Sequence, residues 1–423
     1  MGQNPAMIGP EQTLNGFTID GCLWIWQSRP RMEIPTPILV EHPESSPPST
    51  PPPPRKTFRY ALAGVCAVLL LGVGIGIRRN PAENDFIEFS SLEPPEVLQL
   101  PTPTPQPAGR LFSGPTPQTR WQDLQDPTVY MPTASGRVAS AHYGSTRTGS
   151  NGLPRFHEGV DVSPIERDPR QRPLDPILAI ADGTVAYVSR RGGNSTYGIY
   201  IVLTHEDEVG TVYSLYSHLA SVESGIQQGA EVSRGQKLGV MGWSSSIGIP
   251  VSRSHLHLEM GLKLNGHYSR LSRAQKLSNP HGNYHGFNLA GFNPSLLLQN
   301  LQNQDPVRFS YQDAIRSVPP AWRLLIRGTR RPEFFDRYPS LWTDTPRSGS
   351  AFWIDVSDGG VPLAGGFATQ DDARLLQGGH HRVLEVDREV LGRNGRRHVV
   401  TRNGKWVLGR NGEKWKEILL YRP

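Results

Sequence analysis

Apolar and polar positions alternate through residues 252–260, "SRSHLHLEM". Leu256 and Leu258 interleave with His255, His257 and Glu259, which is the period of a half-buried strand. Residues i, i+2 and i+4 share one face of a strand. The leucines therefore enter a core, and the two imidazoles and the carboxylate face the other way. The same texture runs from about 125 to 300. "ILAIADGTVAYVS" (177–189) reads as strand, Asp-Gly turn, strand. "GIYIVLTHEDEVGTVYSLYSHL" (198–219) reads as a second strand pair with a polar turn, and "GAEVSRGQKLGVMGWS" (229–244) continues the pattern. Few stretches here repeat at helical spacing, so this segment is expected to be a mainly β, antiparallel domain.

The pattern differs on either side. Residues 60–77, "YALAGVCAVLLLGVGIGI", carry no charge. Roughly 18–20 helical residues cross a bilayer core, so this run predicts one transmembrane helix. Arg55, Lys56 and Arg59 before it, against Arg78 and Arg79 after it, lean toward a cytoplasmic N-terminus. A cleaved signal peptide is the alternative, but the run is long for one and no small-x-small cleavage site follows. Proline is dense at 33–57 and again at 94–118, which predicts an extended tail before the helix and a semi-rigid spacer after it. Met32 is a second candidate start. Beyond about 305, "QDAIRS" and "DARLLQ" predict short helices. Asn-Gly dipeptides at 394–395, 403–404 and 411–412 predict a four-stranded meander closing the chain.

These patterns divide the chain as follows: 1–57, disordered proline-rich cytoplasmic tail; 58–78, transmembrane helix; 79–122, linker; 123–302, the β domain; 303–423, a smaller α+β or β-rich C-terminal domain of unassigned role. Composition sharpens this only a little. Hydrophobic residues are 36% of the 423, consistent with much linker, and the formal charge of +6 favours an anionic partner without choosing among cell wall, lipid and nucleic acid. Lys and Arg outnumber acids eight to two across 390–417, read as solvated hairpin tips rather than a polymer-gripping patch. The two cysteines, Cys22 and Cys66, precede residue 80. No disulfide therefore staples the rest of the chain, and any metal there takes His, Asp, Glu or water.

Candidate chemistry gathers in the β domain. In "RFHEGVDVSP", His157 and Asp161 lie four apart, facing the same way if the segment is extended, with Gly159 leaving room for a third body. A neutral imidazole and a carboxylate suit zinc. With one histidine of the pair His255 and His257, they make three ligands and leave a fourth position open, the catalytic rather than the structural pattern. His218 follows Tyr216 by two in "YSLYSHLA". His281 and His285, also four apart, lack the glutamate of a helical zinc motif and read as loop residues.

Taken in order, HxGxD at 157–161, YxHL at 216–219 and HLHxE at 255–259, with "ADGTV" and "GQKLGVMG" between, resemble the lysostaphin-like, LytM-type zinc metallopeptidases over about 135–300. The resemblance implies zinc held by His157, Asp161 and His257, and His255 and His218 as catalytic non-ligands. It implies hydrolysis of peptide bonds in bacterial peptidoglycan. Zinc would activate water and polarise the carbonyl, while one histidine moves the proton and another donates to the oxyanion. Glu259 would orient a ligand from behind. The implied partners are peptidoglycan cross-links and, through one helix, the inner or cytoplasmic membrane, with the catalytic domain periplasmic or extracellular and no nucleic acid. The alternative is a non-catalytic relative that binds wall or activates another hydrolase. Three departures from the family stand out. "SPIERDPRQRPLD" after Asp161 is long and predicts a loop at the cleft rim. Arg253 and Ser254 replace the usual glycine and proline before His255. Extra residues precede "FNPSLLL".

Overall fold

The alternating segment around His257 becomes the strand on which the site is built. The computed structural model describes residues 112–149, 152–301, 310–343 and 349–423. The tail at 1–57, the apolar run at 60–77 and the linker as far as 111 lie outside them. Among the described residues no helix is long and apolar enough to cross a membrane.

Twelve strands precede residue 300: β1 (Thr146–Thr148), β2 (Pro154–Phe156), β3 (Val160–Val162), β4 (Pro176–Leu178), β5 (Gly183–Ser189), β6 (Tyr200–Asp207), β7 (Gly210–Ser217), β8 (Ser221–Val222), β9 (Glu231–Val232), β10 (Lys237–Val240), β11 (Leu256–Lys263) and β12 (Leu289–Phe292). Helices α1 (Tyr268–Ala274) and α2 (Ser295–Asn300) accompany them. The main sheet runs β12-β11-β7-β6-β5-β9, with β3 also pairing the start of β11, and is antiparallel throughout. A smaller sheet, β4-β10-β8, and the β1–β2 hairpin complete this part. The strand pair at 198–219 is the β6–β7 hairpin. The Asp182-Gly183 hairpin does not form: β4 and β5 belong to different sheets, and Gly183 opens β5 where a Cβ would lie 2.5 Å from the Thr204 carbonyl oxygen.

The main sheet is buried on both faces. Ile201, Leu203, Tyr216, Leu256, Leu258 and Met260 enter the larger core. Tyr200, Val202, Tyr213, Leu215 and Leu289 form a second apolar layer on the opposite face. His257 and Glu259 share that second face, because the β11–β7 register sets them opposite Ser217 and Leu215. β11 is therefore not half-exposed as its alternation predicts. All but its last residue are buried, His257 and Glu259 included.

The C-terminal part begins with α3 (Tyr311–Arg316), β13 (Trp322–Arg327) and α4 (Glu333–Arg337). It continues with β14 (Trp342–Thr343), β15 (Ala351–Val356), β16 (Pro362–Phe367), α5 (Gln370–Arg374), β17 (His381–Leu384) and α6 (Arg388–Leu391). The chain closes with β18 (Val399–Arg402), β19 (Lys405–Leu408) and α7 (Arg410–Leu420). Helices α3 and α5 carry the two segments expected to be helical. A five-stranded sheet, β14-β16-β15-β13-β17, is its centre. The expected four-stranded meander is replaced by the single β18–β19 hairpin and α7. Only Asn403-Gly404 makes a hairpin turn, both residues having positive φ (49° and 71°). Asn411-Gly412 starts α7, where a Cβ on Gly412 would sit 2.0 Å from the His398 carbonyl oxygen. This part packs on the β domain through shared core residues such as Trp322, Phe334 and Trp415. Asn265 Nδ2 donates to the carbonyls of Ile418 and Tyr421, both at 2.8 Å, and Tyr338 Oη donates to Thr211 O at 3.0 Å.

Candidate metal centre and cleft

Strand register assembles the centre. Asp161 on β3 stands directly opposite His257 on β11, which places their side chains together on one face. His157 follows β2 by one residue and turns onto the same spot. Its Nε2 lies 3.0 Å from Asp161 Oδ1 and 3.0 Å from His257 Nδ1, and His257 Nδ1 is 2.9 Å from Asp161 Oδ1. The donor atoms of these three buried residues all lie within 4.8 Å of one another. Gly159 makes the approach feasible: a Cβ there would lie 2.2 Å from the Leu258 carbonyl oxygen. The third body that Gly159 admits is thus the neighbouring strand.

Each histidine of the trio is oriented from behind. His157 Nδ1 donates to the His142 carbonyl at 2.9 Å, leaving the Nε2 lone pair inward. His257 Nε2 donates to Glu259 Oε1 at 3.0 Å, leaving Nδ1 inward. Glu259 is held in turn by Tyr197 Oη at 2.6 Å and Tyr213 Oη at 3.2 Å. Arg147 donates to Asp161 Oδ2. Such backing is characteristic of metal ligands. Burial pushes the His157 imidazole down, toward the neutral form a ligand needs. Burial opposes ionisation of Asp161, but His157, Arg147 and His255 hold its carboxyl well below the usual range. Burial also opposes a charge on His257, yet hydrogen bonds to Asp161 and Glu259 raise it to about 10. Two buried carboxylates around one imidazole thus favour positive charge at its Nδ1, which a metal ion would supply in exchange for a proton. The residues present fit zinc: two nitrogens and one carboxylate oxygen, with the proton on His257 Nδ1 the one that zinc would displace.

The two remaining histidines stand beside this trio without joining it. His255, just before β11, donates from Nδ1 to Arg253 O at 2.7 Å, and its Nε2 lies 3.6 Å from Asp161 Oδ1. His218 donates from Nδ1 to Ser244 O at 2.9 Å. Its φ of 62° turns the chain off β7. The two rings are 4.8 Å apart. Burial lowers the His255 pKa. Burial, with the neighbouring His255 and His257, holds His218 well below the ordinary value.

These residues lie in a cleft of about 770 Å³. His281 and His285 are in irregular loop, as expected, and line it as well. The 163–175 loop does not, contrary to the rim position expected of it. Arg167 instead reaches the turn before His255, donating to Val251 O at 3.0 Å and Ser254 Oγ at 2.8 Å. This gives Ser254 a role at its position: its Oγ closes its own turn on Val251 O at 2.6 Å and accepts from Arg167. Arg147, Tyr197 and Tyr213 carried no signal in the sequence, because neither spacing nor periodicity ties them to the histidine motifs.

One consequence is measurable. Glu259→Gln removes the anion behind His257, and zinc affinity is expected to fall roughly 10–100-fold. Titration against a zinc-chelating dye reads this directly, and unchanged affinity would leave Glu259 a packing residue only.

The family model described as Peptidase family M23 matches residues 155–270. No curated protein matches the chain. Among solved structures, a zinc-containing peptidase from Vibrio cholerae is 24% identical, with TM-score 0.21, over 31% of this chain and 35% of that one. The catalytic domain of lysostaphin from Staphylococcus simulans is 19% identical, with TM-score 0.25, over 37% of this chain and 89% of that one. The catalytic domain of the prophage-encoded M23 protein EnpA from Enterococcus faecalis, as a point mutant, is 24% identical, with TM-score 0.21, over 28% and 75%. The chain therefore spans about a third of the Vibrio cholerae peptidase, and most of the two isolated catalytic domains.

Proposed function

From residues 155–270 as a LytM-type domain of peptidase family M23, we propose that this protein is a zinc-dependent endopeptidase that hydrolyses peptide bonds of bacterial peptidoglycan. The observation that carries the reading is the convergence of His157, Asp161 and His257 in a cleft that His218 and His255 also line. A non-catalytic relative has no use for a complete donor set with both of these rings beside it.

When bound, zinc supplies Lewis-acid polarisation of a carbonyl and makes water acidic enough to attack near neutral pH. The protein's own groups do the rest. With Nδ1–H given to backbone carbonyls, neutral His255 and His218 both present an Nε2 lone pair to the cleft. Donation to an oxyanion requires a proton on Nε2, so one ring must enter the reaction protonated there while the other enters it neutral. His255, next to Asp161, accepts the proton of the attacking water at Nε2 and delivers it to the leaving amine. His218, protonated at Nε2 before the attack, donates to the oxyanion. Two imidazolium rings 4.8 Å apart repel, so the resting pair carries at most one charge, and the second proton, taken from the water, is driven on to the leaving amine.

The test is digestion of purified wall by the purified chain, with and without chelator, the released peptides being read by mass. Chelator-insensitive or absent release would sink the reading. The apolar run at 60–77 is proposed to anchor the chain as a single-pass helix in the cytoplasmic membrane, with the peptidase outside, where peptidoglycan is. Protease added to spheroplasts should digest the peptidase domain and spare a small N-terminal fragment. Protection of the peptidase domain would overturn both orientation and substrate.

A further inference from the structure

The cleft beside the metal centre is strongly basic. Arg137, Arg147, Arg155, Arg253, Arg393 and Arg396 line it, against two acids, Glu158 and Asp161. Both acids are already engaged. Arg147 donates to Asp161, and Arg396 pairs with Glu158 at 2.9 Å. The guanidinium groups of Arg137, Arg155, Arg253 and Arg393 therefore have no carboxylate partner among the described residues. The β1–β2 register sets Arg147 directly opposite Arg155. Like charges facing one another across a hairpin destabilise it, and only Arg147 is relieved by a protein acid.

Two of the six come from the C-terminal part. Arg393 and Arg396 follow α6, in the segment that packs against the β1–β2 hairpin. A Cβ on Gly395 would lie 3.1 Å from Phe156 N and Cα and from Thr146 Oγ1, and the Arg396 guanidinium sits 5.1 Å over the Phe156 ring. The C-terminal part thus completes one wall of the cleft and holds the hairpin that bears Arg147 and Arg155. The basic stretch at 390–417 is divided. Arg402 and Lys405 are exposed at the β18–β19 turn, while Arg393 and Arg396 face the cleft.

We propose that this arginine wall, built jointly by the β1–β2 hairpin and the C-terminal part, is a subsite for a peptide bearing free carboxylates beside the bond to be cut. It deepens the peptidase reading and rests on it. Guanidinium groups bind carboxylates through paired, charge-assisted hydrogen bonds, and a cleft lined by one sign of charge concentrates the opposite sign. The C-terminal part therefore acts in substrate selection as well as in packing.

The test uses the full chain in a non-ionic detergent and two substrates: purified peptidoglycan, and the same material with its free carboxyl groups converted to amides. The native form is expected to have the higher kcat/KM, by roughly five- to tenfold, with the advantage shrinking as salt rises. The double variant Arg155→Gln, Arg393→Gln should lose that advantage through KM, with kcat unchanged and the amidated substrate unaffected. Arg402→Gln with Lys405→Gln removes the same charge away from the cleft and should leave the ratio intact. Equal kcat/KM on both substrates, or equal loss in the two double variants, would overturn the subsite while leaving the peptidase reading standing. Should neither substrate be cut, the peptidase reading fails, and binding decides the subsite alone. A tetrapeptide with free carboxylates, labelled with an uncharged dye, should then bind more tightly than its amide by fluorescence anisotropy, and equal affinity overturns the proposal.

Discussion

His157→Ala and Asp161→Ala are each expected to lose zinc and wall hydrolysis together. The wild-type chain should carry about one zinc, since the motif supplies one set of three protein ligands. Removing one leaves two donors, and the loss should exceed the ~10–100-fold that follows from disturbing the groups behind the ligands. Asp161→Ala also strips Arg147 of its carboxylate and leaves His157 and His257 without the charge that draws them together. Elemental analysis after gel filtration reads the metal, and circular dichroism reports whether the fold survives. Full zinc occupancy in both variants would dispose of the ligand assignment.

The second large effect separates chemistry from metal binding. His218→Ala and His255→Ala should keep zinc yet lower kcat by on the order of a hundredfold or more, because each removes a proton acceptor or an oxyanion donor. Neither ring belongs to the cluster of donor atoms within 4.8 Å of one another that His157, Asp161 and His257 form, so neither is needed to hold the ion. The two losses should not add. Base and oxyanion donor serve the same transition state and act as a unit, and the double variant should be hardly slower than the worse single one. If His255→Ala empties the site while His257→Ala does not, the two histidines have exchanged roles. If the double loss equals the product of the single ones, the rings act independently.

Much of the centre was legible because its parts are local. The alternation at 255–259 separates leucines from polar residues over five positions, and HxGxD spaces two ligands four apart on extended chain. The β6–β7 hairpin was equally plain, with both strands and their turn inside one continuous stretch. Failures came where one pattern serves two ends. Asp182-Gly183 has hairpin chemistry, but the small glycine is there to let β5 pass close to β6. Asn411-Gly412 has it too, but Gly412 is needed where α7 crosses the His398 carbonyl.

By itself, then, the sequence marked His157 and Asp161, together with one histidine of the pair His255 and His257, as the candidate donors, and it determined the β character of residues 125–300 and the presence of further histidines nearby. Each of these depends on residue type and on neighbours within a few positions. The tertiary structure decided which atoms meet. It set Asp161 opposite His257 through the β3–β11 register, chose Nδ1 of one ligand and Nε2 of the other, and buried a strand face that alternation alone leaves open to water. It also brought Arg393 and Arg396 into the cleft with Arg147 and Arg155. Register and cleft wall depend on chain segments from nearly a hundred to well over two hundred residues apart, and no local periodicity encodes such a meeting.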